Sequence, residues 1–289
     1  MRNIKNLSFA VIFLLLGYFI NSYKIVFYWK INSFVNYFKK SASYCIAEIK
    51  DIPDNSLIIV GHAYGSPIES ILRGDKGISP KLNKLFEINR NQINQIVFSG
   101  DILHNPSLNK WNTLFTELNN FKLYVAPGNH DVGLGYDNAK RDIFQIVKQS
   151  YEFENEYPHF FLKENSLFII DDSNLPKSNF GKILDIISAN PEVKKIFIIR
   201  HHILTKSMSK FSNGLPLHPL IEEGILKKEF QKFKDKEITF IYGDGGNNNK
   251  TSLNCKEIGN TKHIINGIGG SKDEKVLVIK NSNVYFKFI

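Results

Sequence analysis

The chain has 289 residues, of which 43% are hydrophobic and 22% are charged. This composition provides enough apolar surface for one sizeable core, and a count of only two cysteines excludes a disulfide-scaffold protein. The net charge of +9 would suit an anionic partner, but the lysines are scattered and no aromatic-basic groove motif accompanies them. We therefore expect a basic, solvated surface, and a nucleic-acid-binding role is disfavoured.

The N-terminal part contains an apolar segment whose length suits either of two membrane signals. Residues 7–20 are apolar apart from one serine, which is long enough for the core of a signal peptide. Residues 7–29 together would span a bilayer, with Lys24 reaching the interface. Because no small-x-small cleavage site follows Ile20, we favour a retained signal anchor over a cleaved signal or a buried N-terminal helix.

This segment divides the chain into regions. We predict an N-terminal flank over residues 1–6, a transmembrane helix over 7–29, a connector over 30–55 and a globular domain over 56–289. The predicted localisation is that of a single-pass membrane protein. Lysine and arginine side chains lie on both sides of the span, with a small excess on the domain side, so the positive-inside rule leaves the orientation open.

The domain opens with a short apolar run, Ser56–His62, which predicts a buried strand. The run ends in Gly-His-Ala-Tyr-Gly, which places His62 and Tyr64 at the carboxyl end of the strand. A helix over Leu82–Ile88 follows. In α/β proteins ligands bind at the carboxyl ends of strands, which is where this run ends.

The centre of the domain has the pattern of a βαβ unit. Gln95–Asp101 (QIVFSGD) and Tyr124–Asp131 (YVAPGNHD) are apolar runs that end abruptly in polar residues. Between them, Asn109–Asn120 has helical spacing, with Trp111 and Leu114 on one face. We expect two parallel buried strands whose carboxyl ends meet at one rim of the sheet.

The polar residues at this rim are the types that hold a metal ion. Asp101 follows a glycine that permits a sharp turn, and Asn129 and His130 follow Pro127-Gly128 for the same reason. A carboxylate, an amide oxygen and an imidazole together suit Mn, Fe or Zn. The sequence therefore predicts a metal site where these two strands end.

Later apolar runs predict three further buried strands that also end in polar residues. They are Ser166–Ile170 before Asp171-Asp172, Lys195–Arg200 before His201-His202, and Ile238–Tyr242 before Gly243-Asp244. Helices are predicted over residues 138–151 and 181–189, and residues 275–279 and 283–289 alternate like a closing antiparallel pair. This alternation of strands and helices predicts an α/β fold.

The pair Gly-Asp at residues 100–101 and Gly-Asn-His-Asp at residues 128–131 resembles the motifs of the calcineurin-like metallophosphoesterase family. The resemblance implies a four-layer αββα sandwich of two mixed β-sheets, with the site at the strand ends. It also implies that Asp101 bridges two metal ions, that Asn129 binds the second ion, and that His130 acts on the leaving group.

Other motifs of the family are altered in this chain. The strand followed by two histidines is similar to the family's fourth motif, which implies that His201 binds the second ion. Where the family has GHxH, the chain has Asp244, which can ligate, and Gly246, which cannot. Where the family has GDxH, the chain has His62, a good ligand, and Tyr64, whose phenol ligates well only when deprotonated.

The altered positions keep the total ligand charge of the family. An aspartate is replaced by His62 and a histidine by Asp244, which indicates a retuned site rather than a decayed one. His104 lies three residues after Asp101, where the purple acid phosphatase branch has a ligand tyrosine. Both a metal-binding role for His104 and an exposed loop histidine remain open.

These observations predict a metal-dependent phosphoesterase with one or two divalent or trivalent ions, Mn, Fe or Zn, as cofactor. A metal-activated water would attack phosphorus, while His130 assists the leaving oxygen and Asp131 orients the His130 ring. No G-x-S-x-G or P-loop motif offers another chemistry. The alternative, favoured by the altered first-metal ligands, is a membrane-anchored pseudoenzyme that binds a phosphorylated glycan or lipid. The expected partner is a phosphorylated substrate, and the apolar segment favours a lipid-linked or envelope polymer.

Overall fold

The computed structural model describes residues 45–133, 138–151, 156–174, 179–211, 220–245, 252–269 and 273–289. These ranges form two six-stranded β-sheets. In spatial order, the strands of the first sheet are β1 (Ala47–Glu48), β12 (Asn283–Phe288), β11 (Lys275–Lys280), β2 (Ser56–Val60), β3 (Ile93–Phe98) and β4 (Lys122–Val125). The strands of the second sheet are β5 (His159–Lys163), β6 (Ser166–Ile170), β7 (Lys195–Arg200), β8 (Glu237–Tyr242), β10 (Thr261–Asn266) and β9 (Leu253–Ile258).

Both sheets are mixed, as predicted. In the first sheet β2, β3 and β4 are parallel, and β11 pairs antiparallel with both β2 and β12. In the second sheet β6, β7, β8 and β10 are parallel, and β5 and β9 close the edges as antiparallel strands. The parallel centre of each sheet brings several carboxyl strand ends to one rim. In α/β proteins ligands bind at such a rim.

Helices lie between the strands in sequence. They are α1 (Pro67–Leu72), α2 (Pro80–Ile88), α3 (Leu108–Glu117), α4 (Asn129–Val132), α5 (Asn138–Ser150), α6 (Phe180–Ser188) and α7 (Glu223–Phe230), with two 3₁₀ segments, Lys206–Phe211 and Gln231–Phe233. The longer predicted helices are confirmed to within a few residues. The elements that were not predicted include β1, β5, β9, β10 and the short helices α1 and α4, because their short or mixed sequences lack a clear hydrophobic period.

The alternation of side chains along β7 explains the layered packing. Phe197 and Ile199 belong to the core that lies between the two sheets, whereas Ile196 and Ile198 pack with helix residues such as Ile183 on the outer face. Helix residues of α2 and α3 join the core of the first sheet. The predicted α/β sandwich of two mixed sheets with helices is therefore confirmed.

The globular fold begins earlier than the predicted boundary at Ser56. Ala47 and Glu48 form β1, which pairs in parallel with β12 at Tyr285 and Phe286. Cys45 just before this strand forms a disulfide with Cys255 on β9, with a Cα–Cα distance of 5.8 Å. Two residues of the predicted connector, 47 and 48, thus belong to the first sheet, and Cys45 is covalently tied to the edge of the other sheet.

We expect this disulfide to make a large contribution to stability. It closes a loop with a sequence separation of 210 residues, and cross-links of native domains typically contribute about 2–5 kcal/mol by restricting the unfolded chain. Urea unfolding of the double variant Cys45→Ser/Cys255→Ser should therefore show a free energy of unfolding lower by about that amount. Wild-type protein in reductant is the matched sample, and an unchanged midpoint in both samples would contradict the cross-link.

A buried histidine in the second sheet is held in its neutral form. The Thr261 hydroxyl donates to the carbonyl oxygen of Ile258 at 2.8 Å, so it accepts the hydrogen bond from His263 Nε2 at 2.8 Å. His263 Nδ1 is then an acceptor for the Tyr242 hydroxyl at 2.8 Å. Burial lowers the pKa of His263 to about 3, because the charged imidazolium would lose its hydration in the core.

This histidine predicts a loss of stability in acid. Its folded pKa of about 3 lies below the ordinary value of 6.5, so its contribution is complete above pH 6.5 and is lost as the pH falls toward 3. Each pH unit in this window costs about 1.4 kcal/mol. From pH 7 to pH 5, the free energy of unfolding in urea should fall by about 2 kcal/mol less in His263→Gln than in wild type. Equal decreases in the two proteins would contradict the assignment.

None of the helices in the described ranges is long and apolar enough to cross a bilayer. The predicted anchor, residues 7–29, lies outside those ranges.

Candidate metal centre

Four of the predicted ligands follow four different strands at the same rim of the molecule. His62 follows β2, Asp101 follows β3, His201 follows β7 and Asp244 follows β8, and all four are buried. The first pair belongs to one sheet and the second pair to the other. The site therefore lies where the carboxyl ends of the two sheets converge.

The backbone at this rim is shaped for close approach. Gly100 has a φ of +94°, and a Cβ there would overlap the imidazole of His201. His62 and Asp101 themselves have φ of 50° and 56°, the left-handed region that residues other than glycine rarely adopt. Such conformations cost of order 1–3 kcal/mol each and concentrate at functional sites. The strained backbone therefore supports a functional role for both positions.

The donor atoms of the four side chains have the spacing of a metal site. His62 Nε2 lies 3.5 Å from Asp101 Oδ2 and 3.4 Å from Asp244 Oδ1. His201 Nε2 lies 3.4 Å from Asp101 Oδ1. A tetrahedral ion with bonds of about 2.0–2.1 Å separates its donors by about 3.3–3.4 Å. His62, Asp101 and His201 thus form a compact group able to hold a metal ion, with Asp244 beside it.

The hydrogen bonds of His201 provide an independent test of this fit. Its Nδ1 lies 3.1 Å from the carbonyl oxygen of Ser99, which can only accept, so Nδ1 carries the proton. The lone pair of Nε2 in the neutral ring then faces a carboxylate oxygen of Asp101, and this buried nitrogen has no hydrogen-bond partner within the described part of the chain. Two facing acceptors repel each other in a buried site, so this pair needs either a proton on Nε2 or a metal ion between the two atoms.

The charges of the ligand side chains also indicate that the site needs a cation. Burial alone would raise the pKa of Asp101, but the neighbouring imidazoles of His201 and His62 outweigh it and hold that pKa below its ordinary value. Burial alone would lower the pKa of His62, but the carboxylates of Asp101 and Asp244 outweigh it and raise that pKa. The carboxylates of this site therefore need positive charge, which a metal ion supplies in place of protons.

Asn129 and His130 lie on the adjacent loop. Asn129 begins α4 directly after Gly128, whose backbone packs against Asp101. The backbone N–H of His130 donates to Asp101 Oδ1 at 3.0 Å. The structure thus brings the loop that carries both predicted residues into direct contact with the central carboxylate, and the ligand role of Asn129 stays a prediction.

The ring of His130 is oriented by a backbone carbonyl, and the suggestion that Asp131 orients it is wrong. His130 Nδ1 donates to the carbonyl oxygen of His104 at 3.0 Å. Asp131 accepts instead from the backbone N–H groups of Ile102 at 2.9 Å and Gly128 at 2.8 Å. Burial and the charge of Asp101 raise the pKa of Asp131 to about 6. Asp131 therefore joins the loops after β3 and β4 and positions Asp101 between them.

Tyr64 and His104 lie beside the donor group rather than among its closest atoms. The ring centroid of Tyr64 is 5.4 Å from that of His62 and 5.3 Å from that of His104. His104 stacks on His130 at 5.3 Å. Burial, followed by the charge of Asp101, raises the pKa of Tyr64 above its ordinary value.

The other polar strand ends have structural partners. His202 Nε2 lies 3.0 Å from Asn174 Oδ1, and Asn174 Nδ2 donates to the carbonyl oxygen of Pro127 at 2.7 Å. Asp171 forms a buried ion pair with Arg200 at 3.2 Å. His202 therefore packs between the loops that follow β6 and β4. Gly246, at the altered position of the last motif, lies outside the described residues.

Sequence reasoning missed the groups that orient the two histidines. The carbonyl oxygens of Ser99 and His104 fix the tautomers of His201 and His130. Every residue has such a carbonyl, so no sequence pattern could have identified these two.

The chain has matches among known proteins, both to a family profile and to solved structures. The profile of the calcineurin-like phosphoesterase family matches residues 62–267, well over half of the chain. A purple acid phosphatase from seeds of yellow lupin (Lupinus luteus) has a TM-score of 0.54 and 14% identity, over 86% of this chain and 55% of that chain. A dimetal phosphatase from Danio rerio has a TM-score of 0.49 and 11% identity, over 81% and 98% of the two chains. No curated protein matches the chain in sequence.

The chain spans about half the length of the lupin enzyme, and at this identity the likeness to that enzyme is one of fold. The family match covers the strand ends that carry His62, Asp101, His201 and Asp244. With the compact donor group, it confirms the predicted metal-ion cofactor. The chain belongs to the calcineurin-like phosphoesterase family.

Proposed function

We propose that this protein hydrolyses a phosphate ester with the help of metal held by His62, Asp101, His201 and Asp244, to which Asn129 adds an amide oxygen. The observation that carries this proposal is the buried His201 Nε2, whose lone pair faces Asp101 Oδ1 at 3.4 Å while Nδ1 is committed to Ser99. A bound ion supplies a Lewis acid for a phosphoryl oxygen and lowers the pKa of water toward neutrality.

The residues of the chain position the reacting groups. Asp101 is central, because its two oxygens lie against His62 and His201 and its Oδ1 also accepts from the His130 backbone. Asp131 accepts hydrogen bonds from backbone N–H groups of both neighbouring loops. These bonds hold the loop that carries Asp101 and the loop that carries His130 in fixed positions. A site preorganised in this way needs little rearrangement in the transition state.

His130 provides the proton for the leaving group. Since Nδ1 donates to the carbonyl oxygen of His104, proton exchange takes place at Nε2. As water attacks phosphorus and the phosphorus–oxygen bond to the leaving group breaks, the protonated ring transfers its Nε2 proton to the departing oxygen. His130 is half-buried and borders the donor group, which is where such an acid must lie. A pseudoenzyme has no need of this arrangement, so it is the less favoured function.

The test is hydrolysis by the purified full-length chain with elemental mass spectrometry on the same sample. We expect bound Mn, Fe or Zn, hydrolysis of a nitrophenyl phosphomonoester or phosphodiester, loss of activity on chelation and recovery on adding metal back. Activity that survives complete removal of metal would refute metal dependence. A metal-loaded protein without activity on either class would support the binding-only alternative.

We also propose that the segment 7–29 anchors the protein and that the domain lies in an oxidising compartment. The support is the length of the apolar segment and the Cys45–Cys255 disulfide, a bond that persists mainly outside reducing compartments. A lipid-linked or envelope phosphate would then be within reach. Protease accessibility of the domain in intact cells tests this placement. A domain that is fully protected from the protease and whose two cysteines are both reduced would refute it.

A further inference from the structure

Tyr64 is the centre of a cluster of rings next to the donor group. Its side chain is fully buried. Its ring centroid lies 5.4 Å from His62, 5.3 Å from His104 and 5.4 Å from His130. One of these rings belongs to the proposed metal ligands and another is the proposed acid. Tyr64 therefore contacts both parts of the proposed site at once.

The backbone around Tyr64 is held in place. Its carbonyl oxygen accepts from Arg73 Nη2 at 2.7 Å, and Arg73 Nη1 donates to the carbonyl oxygen of Ile78 at 3.0 Å. The preceding Ala63 carbonyl accepts from the backbone N–H of Ser79 at 2.7 Å. The ring is thus enclosed by side chains and fixed at its base, so the position of its hydroxyl is set by the fold.

The Tyr64 hydroxyl is a buried donor without a hydrogen-bond partner among the residues that the structure describes. Buried hydroxyls of folded proteins are nearly always paired, because an unsatisfied one is costly. By contrast, the buried hydroxyl of Tyr157 donates to the carbonyl oxygen of Val125 at 2.7 Å. Other buried hydroxyls, such as that of Tyr124, also lack a partner among the described residues, but the Tyr64 ring lies against His62 and His130, so a ligand bound at this site can supply the acceptor.

The chemistry of the surroundings indicates which ligand this is. The phosphate of an ester offers several oxygens, and the groups assigned above engage the ester oxygen through His130 and one phosphoryl oxygen through the metal group. We propose that the Tyr64 hydroxyl donates a hydrogen bond to a further non-bridging oxygen of the substrate phosphate. This inference rests on the proposed function and makes Tyr64 a substrate-binding residue rather than a metal ligand.

The experiment uses the full-length, metal-loaded protein and inorganic orthophosphate as the probe. Tyr64→Phe keeps the ring and removes only the hydroxyl. We expect its metal content to equal that of wild type and its affinity for orthophosphate, measured by calorimetry, to fall about 10- to 100-fold, the range for a hydrogen bond to a charged group. The midpoint of thermal unfolding without phosphate should not fall, because the lost hydroxyl had no partner.

Tyr157→Phe is the matched control. It removes a paired hydroxyl, so it should lower the unfolding midpoint and leave orthophosphate affinity unchanged. Loss of metal from Tyr64→Phe would make Tyr64 a ligand and overturn the inference, as would retained metal with wild-type orthophosphate affinity. If wild type binds metal and orthophosphate but hydrolyses nothing, the proposed function fails, while weaker orthophosphate binding by Tyr64→Phe still supports the role of Tyr64.

Discussion

Replacement of Asp101 by asparagine should remove both the metal and the activity. The carboxylate lies between His62 and His201, within 3.5 Å and 3.4 Å of their Nε2 atoms, so its charge is central to any ion held there. A metal ion contributes several kcal/mol of charge stabilisation to phosphoryl transfer, so we expect kcat/KM to fall about 10³-fold or more. Elemental mass spectrometry after dialysis and initial-rate kinetics on the same preparation measure both effects.

The variant is chosen so that the fold survives. Asparagine has the shape of aspartate and tolerates the left-handed conformation that Asp101 adopts at φ 56°. Asp185→Asn, on the exposed surface of α6, is the matched control and should behave as wild type. Retention of metal by Asp101→Asn together with a loss of rate below about tenfold, which is only 1.4 kcal/mol, would exclude Asp101 as the central ligand.

Replacement of His130 by asparagine should separate the chemistry from metal binding. The asparagine amide can still donate to the carbonyl oxygen of His104, as His130 Nδ1 does at 3.0 Å, but it has no group at the position of Nε2. Metal content should therefore stay at the wild-type value. We expect kcat to fall by about 10²- to 10⁴-fold, the range for loss of a general acid.

The size of this loss should depend on the leaving group. An alkyl phosphate leaves as a strongly basic alkoxide and needs the proton, whereas a nitrophenolate leaves without it, so the defect should be large for the first and small for the second. His159→Asn on β5 serves as the matched control for a histidine outside the site. An equal defect for both substrates would show that His130 acts otherwise than as an acid at Nε2.

Local patterns in the sequence determined the main elements of the fold. Apolar runs such as Ser166–Ile170 and Lys195–Arg200 are strands with the predicted bounds, because strands buried on both faces have no polar side chain to interrupt the run. Of the four edge strands in the described sheets, β4 was predicted, whereas β1, β5 and β9 were not. β9 carries Asn254, Lys256 and Glu257, and a strand with one partner and a solvated face does not need an apolar run.

The candidate site was also predictable only in part: the sequence identified its residues, but not which of them lie in contact. Asp101 was identified because a polar residue directly after an apolar run lies at the carboxyl rim of a sheet. His62, His201 and Asp244 also follow buried strands, and they were identified from the resemblance to the family's motifs. Which of these side chains meet was decided by the packing of one sheet on the other. The contact between His62 and Asp244, at a sequence separation of 182, exists only because β2 and β8 end at the same place.

The sequence by itself determined the kind of protein. It is an α/β domain of the calcineurin-like phosphoesterase family, with residues of metal-ligand type at the carboxyl ends of its strands. Only the tertiary structure decided that Ser99 and His104 orient the two histidines, that Asp131 joins loops instead of orienting His130, and that Cys45 pairs with Cys255. The physical reason is range. Hydrophobic period and turn chemistry act between near neighbours along the chain, whereas carbonyl partners and a disulfide are set by contacts between segments far apart in sequence.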